Sequence, residues 1–186
     1  MFDFNSINNK LIYENAEITF NNIENIIFNK CTFKKIVFSN CNFKNIEFNN
    51  CVFENCVFTT NYLKEIKFNN SKITNTNIID CSIEDVSFID SLIIYLVLDN
   101  NKIYDILINI SNINEIILKN NKIIKANFLN SKIDIITIIE NKVTDLWLYT
   151  SKINEIIGDI NKFKNITLSL EQILDYIEEK GIIIKE

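Results

Sequence analysis

The sequence contains no histidine and no proline, all 19 of its basic residues are lysine, and its only glycines are Gly158 and Gly181. Each absence closes a class of chemistry. Without histidine, the commonest general base at neutral pH and the commonest zinc ligand are both gone. Without glycine-rich segments, no backbone cradle for phosphate can be built in the usual way. A formal charge of −5 with no arginine is a poor basis for gripping nucleic acid, which depends on cations paired to phosphate. No run approaches the roughly 18 apolar residues that a membrane helix needs. Met1-Phe2-Asp3-Phe4-Asn5 lacks the basic-then-apolar order of an export signal. With five cysteines, an odd number, the expectation is reduced thiols in a cytoplasmic protein. No cofactor, no membrane and no direct nucleic-acid contact is expected.

What the chain does have is a period. From Tyr13 onward every fifth residue is apolar, through Ile18, Ile23, Phe28, Phe33, Phe38 and on to Leu168, and Gly158 is the one gap. A helix would repeat near 3.6 and a lone strand at 2. Period five requires a short extended piece and a corner, repeated. The residue two before each centre shows how many pieces close a turn. At an interval of 20, one column reads Leu11, Cys31, Cys51, Ser71, Ser91, Ser111, Ser131, Ser151. Another reads Asn21, Cys41, Asn61, Cys81, Asn101, Asn121, Asn141, Asn161, and the remaining two are almost wholly apolar. An interval of 15 would mix these types, so the coil has four sides. Strand alternation turns the centres and these columns inward, where each hydroxyl or amide is expected to hydrogen-bond its copy in the next coil. The second residue after each centre is often Asn or Asp, as at Asn40, Asn45, Asp80, Asp85, Asp105 and Asp145, which suits a corner.

Over residues 11–168 this pattern resembles the pentapeptide-repeat family. The resemblance implies an all-β fold, a right-handed quadrilateral parallel β-helix, here of about eight 20-residue coils, and the same hand is expected of parallel crossovers. Two departures stand out: the position before the centre is often Lys (Lys72, Lys102, Lys122, Lys132, Lys142, Lys152, Lys162), and Asn or Asp follows where the family favours Gly. A leucine-rich repeat shares the spacing Ile103-x-x-Ile106-x-Ile108-x-x-Ser111-x-Ile113 but needs a second, differently spaced half, which is absent.

Two segments follow from this reading. Residues 1–168 form the β-helix, with Phe2 and Phe4 as an N-terminal plug. Residues 169–186 form a short C-terminal helix and tail that caps the coil or joins a second copy. Ser169 and Gln172 make a capping box, and Gly181 suits the helix end. Leu170, Ile173, Leu174 and Ile177 share one helix face, and Ile183 lies in an apolar tail; these are the expected cap or dimer contacts.

The outward residues define four sides, here called first to fourth after their centres Tyr13, Ile18, Ile23 and Phe28. The second side carries five acids, Glu17, Asp80, Asp99, Glu140 and Asp159, against one lysine, Lys119. It also carries apolar residues, among them Val97, Ile117 and Ile139. The fourth side, opposite, shows Leu107, Leu129, Trp147 and Tyr149. A contiguous apolar stripe on a rod suggests a partner or a second copy. Catalytic chemistry finds no support: Cys51 and Cys56 fall on adjacent sides at inward positions, and Glu84-Asp85 is a corner. The favoured function is therefore a non-catalytic protein-interaction or scaffold module. The alternative comes from resemblance: quinolone-resistance pentapeptide-repeat proteins are acidic rods that bind DNA gyrase by imitating duplex DNA.

Overall fold

The computed structural model describes residues 6–158, 165–179 and 181. Phe2, Phe4, Asp159, Asn161, Lys162 and the tail with Ile183 lie outside the described residues. Within them, every strand pairs in parallel with the strand 20 residues on: Asn22↔Asn42, Asn42↔Tyr62, Tyr62↔Ser82 on one sheet, and Leu92↔Asn112, Asn112↔Lys132, Lys132↔Lys152 on the other. The chain is a parallel solenoid of about eight coils, roughly 38 Å long at ~4.8 Å per coil. Two sheets suffice for four sides because full-length strands such as Thr32–Ser39 bend at their midpoint, here Lys35.

The bend is a backbone choice. From Lys10 to Asp90 every fifth residue sits in the left-handed region, at φ between 47° and 56°. Asn and Asp tolerate that region best among residues with a side chain. Beyond Asp90 only alternate corners keep it: Asn100, Ile110, Asn120, Asn130 and Glu140 do, whereas Tyr95, Glu115, Lys125 and Ile135 do not. Asp105 and Asp145, expected at such corners, leave it together with Lys125, although Glu65 and Asp85 in the same column keep it. Thr60 and Ile110 are the outliers, β-branched residues at φ 56° and 53°, each strained by about 1–2 kcal/mol.

The core is the stack of centres. Phe28, Phe48, Phe68 and Phe88 lie face to face at 5.1, 5.0 and 4.6 Å between ring centroids. Phe33 stacks on Phe53 at 4.7 Å and Phe38 on Phe58 at 4.8 Å. Towards the C-terminus isoleucine and leucine replace the rings, and Ile93, Leu98, Ile108 and Ile138 are all buried.

The polar columns are inside but bond differently from the expectation. Their partners are mainly backbone groups of the preceding coil. Asn121 accepts from the Asn101 N–H at 2.8 Å and donates from Nδ2 to the Leu98 carbonyl, also at 2.8 Å. Ser71 accepts from the Cys51 N–H at 3.0 Å and donates to the Phe48 carbonyl at 3.1 Å. Side chains thus satisfy the N–H groups next to alternate corners, which would otherwise be buried without a partner. Copy-to-copy bonds are secondary, as from Asn101 Nδ2 to Asn121 Oδ1 at 3.1 Å. Leu11 and Asn21, first in their columns, are exposed.

The other end is closed by a helix, α1, Leu170–Glu179. Ser169 and Gln172 form the capping box: Ser169 N–H donates to Gln172 Oε1 at 2.8 Å, and Gln172 N–H to Ser169 Oγ at 3.2 Å. Gly181 takes φ 75° and its N–H reaches the Glu178 carbonyl at 2.8 Å. The face turned to the rod differs from the expected one. Gln172 and Tyr176 are buried, whereas Leu170 is 73% and Ile173 39% exposed. The reason is polar: Gln172 Nε2 donates to the Leu148 carbonyl at 3.0 Å and the Ser151 carbonyl at 2.6 Å. In an inner coil those carbonyls would receive the hydroxyl and N–H of the next coil, as Phe48 and Cys51 do from Ser71 and Lys72. One amide therefore stands in for a missing coil. Gln172→Glu keeps the capping acceptor but removes both donors. It should cost about 2–3 kcal/mol, read as faster amide exchange in α1 and the last coil; unchanged exchange would deny the amide this role.

Candidate interaction surface

Because the interior is filled by side chains, anything this protein recognises must meet its outer sides. On the second side, Val37, Val57, Asn77, Val97, Ile117, Thr137 and Ile157 form one column in register. Val97 and Ile117 are half-buried among their neighbours, and Ile139, in the adjoining column, is 40% exposed. β-branched residues favour such positions for strand formation alone.

The acids of this side do not assemble into a strip. Glu17 lies at the first coil, three coils from Asp80. Asp80 accepts from Asn100 Nδ2 at 2.5 Å, and Asp99 from Asn120 Nδ2 at 3.0 Å. Lys119 pairs in register with Asp99, and Glu140 sits at a corner at φ 54°. Asp159 is outside the described residues.

The fourth side is different at its C-terminal end. Trp147 and Tyr149, 41% and 43% exposed, lie with ring centroids 6.1 Å apart. Trp147 Nε1 donates to Asp145 Oδ1 at 2.7 Å, which fixes the indole against a corner carboxylate. Leu107, Asn127 and Trp147 share a column, with Leu129 in the next. Asn127 Oδ1, buried beside this group, has no donor. The seven apolar residues expected to form an interface thus divide between opposite sides of the rod. A single flat partner can meet Val97, Ile117 and Ile139, or Leu107, Leu129, Trp147 and Tyr149, but not both sets.

Two alignments escaped the sequence reading. Asn9, Asn29, Asn49 and Asn69 form an outward amide ladder with bonds of 3.0, 3.2 and 2.9 Å. Tyr62, Lys64 and Glu84 form a polar cluster: the Tyr62 hydroxyl donates to Glu84 Oε2 at 2.6 Å and Lys64 Nζ to Oε1 at 2.7 Å. Those bonds, Lys64's first, hold the Glu84 carboxyl below its ordinary range, and the bond to Glu84 raises the Tyr62 hydroxyl. Both carry a signal in the sequence, since the ladder's asparagines and the Lys64–Glu84 pair recur at an interval of 20. The five cysteines are free and buried, and burial pushes the Cys51 thiol up to about 12 and that of Cys81 to about 11, far from thiolate chemistry at neutral pH. Among the described residues no three His, Cys, Asp or Glu side chains converge as a metal site. Nor is any described helix long and apolar enough to cross a membrane.

The family model for pentapeptide repeats, in eight copies, matches residues 16–55 and, overlapping, 36–75. Over residues 16–75 the chain carries the repeat of the pentapeptide-repeat family. No curated protein matches the sequence. Among solved structures, a trypsin-treated form of QnrB1, a plasmid-mediated fluoroquinolone resistance protein, is similar with a TM-score of 0.51 and 18% identity, covering 96% of this chain and all of that one. HetL, a pentapeptide repeat protein involved in heterocyst differentiation regulation from the cyanobacterium Nostoc sp. strain PCC 7120, has a TM-score of 0.33 and 9% identity, over 81% of this chain and 86% of its own. At such identities the likeness to QnrB1 concerns the fold alone.

Proposed function

We infer that this pentapeptide-repeat protein is a non-catalytic interaction module whose rigid rod presents fixed side chains to a protein partner. The observation that carries the reading is the exposed Trp147–Tyr149 pair on the fourth side, held by the Asp145 bond and flanked by Leu129 and Leu107. Exposed aromatic anchors on a stiff scaffold bind with little ordering cost and tend to dominate an interface. The exposed arc of α1, Leu170 and Ile173, offers a second contact, to another copy of the chain.

Imitation of duplex DNA, the alternative, is poorly supported. B-DNA would present about 22 charges over ~38 Å at one per 1.7 Å. Residues 11–168 hold 18 acids and 16 lysines, a net of 16 − 18 = −2. Nor do the acids of the second side line up.

The test is affinity capture from the source cell with wild-type protein and Trp147→Ala in parallel. A partner retained at 300 mM salt by the wild type, and reduced at least about tenfold with the variant, is expected, since burial of apolar surface is little screened by ions. Equal recovery by both proteins would move the interface elsewhere.

A further inference from the structure

Where a lysine of the rod forms an ion pair, its partner is an acid one coil away. All four ion pairs found among the described residues are of this kind: Lys34–Glu54, Lys64–Glu84, Lys67–Glu47 and Lys125–Asp105. One column on the third side sets three unpaired lysines in consecutive coils. Lys102, Lys122 and Lys142 are directly in register, all exposed, and none pairs with an acid among the described residues. Like charges opposite one another on neighbouring strands repel, so such a ladder opposes its own fold unless something anionic meets it. Two residues further along the same side stand Tyr104 and Ile124, 50% and 38% exposed. A shallow trough of about 570 Å³ runs beside Lys102 and Lys122 on the other flank.

The complementary surface is on α1. Glu171, Asp175 and Glu178 are exposed and spaced i, i+4, i+7, a single stripe. Next to it lies the exposed apolar arc of Leu170 and Ile173. Among the described residues no lysine pairs with these acids. The dimensions agree: Lys102 to Lys142 spans two coils, about 9.6 Å, and Glu171 to Glu178 spans seven helical residues, about 10.5 Å. Side by side, acids would meet the lysines while Leu170 and Ile173 met Tyr104 and Ile124.

We propose that α1 of one copy docks lengthwise on the lysine ladder of another. This rests on the reading that α1 is a contact between copies, and it names the surface that receives the helix. Partner capture through Trp147 is independent of it. The experiment is sedimentation of the full chain at micromolar concentration in 50 mM and 300 mM salt. The wild type should associate, and more weakly at high salt, because exposed charge pairs are screened. Lys102, Lys122 and Lys142 changed together to Glu should weaken association at least about tenfold, as should Glu171, Asp175 and Glu178 changed to Lys. Mixing the two variants should restore association between them, since the reversed ladder of one meets the reversed helix of the other, and carrying all six changes in one chain should restore it as well. That last variant separates lost contact from lost fold. A monomeric wild type would overturn both the ladder and the α1 contact. Association abolished by Leu170→Glu with Ile173→Glu, yet unmoved by reversal of the lysines, would overturn the ladder and leave the α1 contact standing.

Discussion

Asn121→Asp should lower the melting temperature by on the order of ten degrees, whereas Asn120→Asp, one residue away, should shift it by little. Asn121 is buried, its Oδ1 receives the Asn101 N–H, and its Nδ2 donates to the Leu98 carbonyl. Aspartate keeps the acceptor and loses the donor, so a carboxylate oxygen would face a carbonyl oxygen at hydrogen-bond distance with no proton between them. An uncompensated buried charge of this kind costs about 3–5 kcal/mol, and each kcal/mol moves a domain of this size by about 2–4 °C. Asn120 is exposed at φ 55°, a conformation that aspartate also tolerates. It would give up a 3.0 Å bond to Asp99, and the repulsion between two exposed carboxylates is small. Thermal denaturation of the two variants side by side is the measurement. Equal melting temperatures would contradict a buried column at position 121.

Restoring the repeat at its one gap should be harmful. By pattern, position 158 calls for an apolar centre, yet Gly158→Ile should destabilise the last coil by several kcal/mol. Gly158 sits at φ 138°, where a side chain is strained, and a Cβ there would collide with the Ile138 carbonyl oxygen. That oxygen belongs to the backbone of the neighbouring coil and cannot swing aside. Gly158 is also tied to α1, since its carbonyl accepts from the Tyr176 hydroxyl at 3.3 Å. The variant should therefore loosen α1 together with the strand Lys152–Gly158, visible as faster amide exchange in both while Phe28 to Phe88 remain protected. Stability within a degree of wild type would show that the gap is drift in the repeat and not a requirement.

Much of this architecture was legible in the residues, because a period of five sorted at 20 leaves only one arrangement that turns every centre inward. The capping box at Ser169 and Gln172 was legible for a similar reason: it is a local pattern with local chemistry. The rotation of α1 was not. Leu170, Ile173, Leu174 and Ile177 look like the face that must be hidden, yet Leu174 and Ile177 are only half-buried, and the carbonyls of Leu148 and Ser151, which meet no further coil, explain why a glutamine is buried beside them. The change in corner conformation after Asp90 was equally hard to foresee, since Asp105 and Asp145 have the preferred side chain and still lack the conformation that Asp85 holds in the same column. For the outer sides, the limit was that a residue's side in the register does not give its exposure. The register in 20 places Val97 and Trp147 on opposite sides, but only the structure shows Val97 half-buried and Trp147 41% exposed.

The coil of four pentads also sets how this chain can change length. Adding 20 residues inserts a full turn: every column stays in line, both ends keep their seats, and Trp147 merely moves further along the axis. Adding five inserts a quarter turn. Everything downstream then rotates to the adjacent side, carrying the aromatic pair away from Leu107 and setting buried serines over isoleucines. Whole coils are thus the steps by which such a rod could lengthen or shorten, and single pentads the steps that would re-aim its surface.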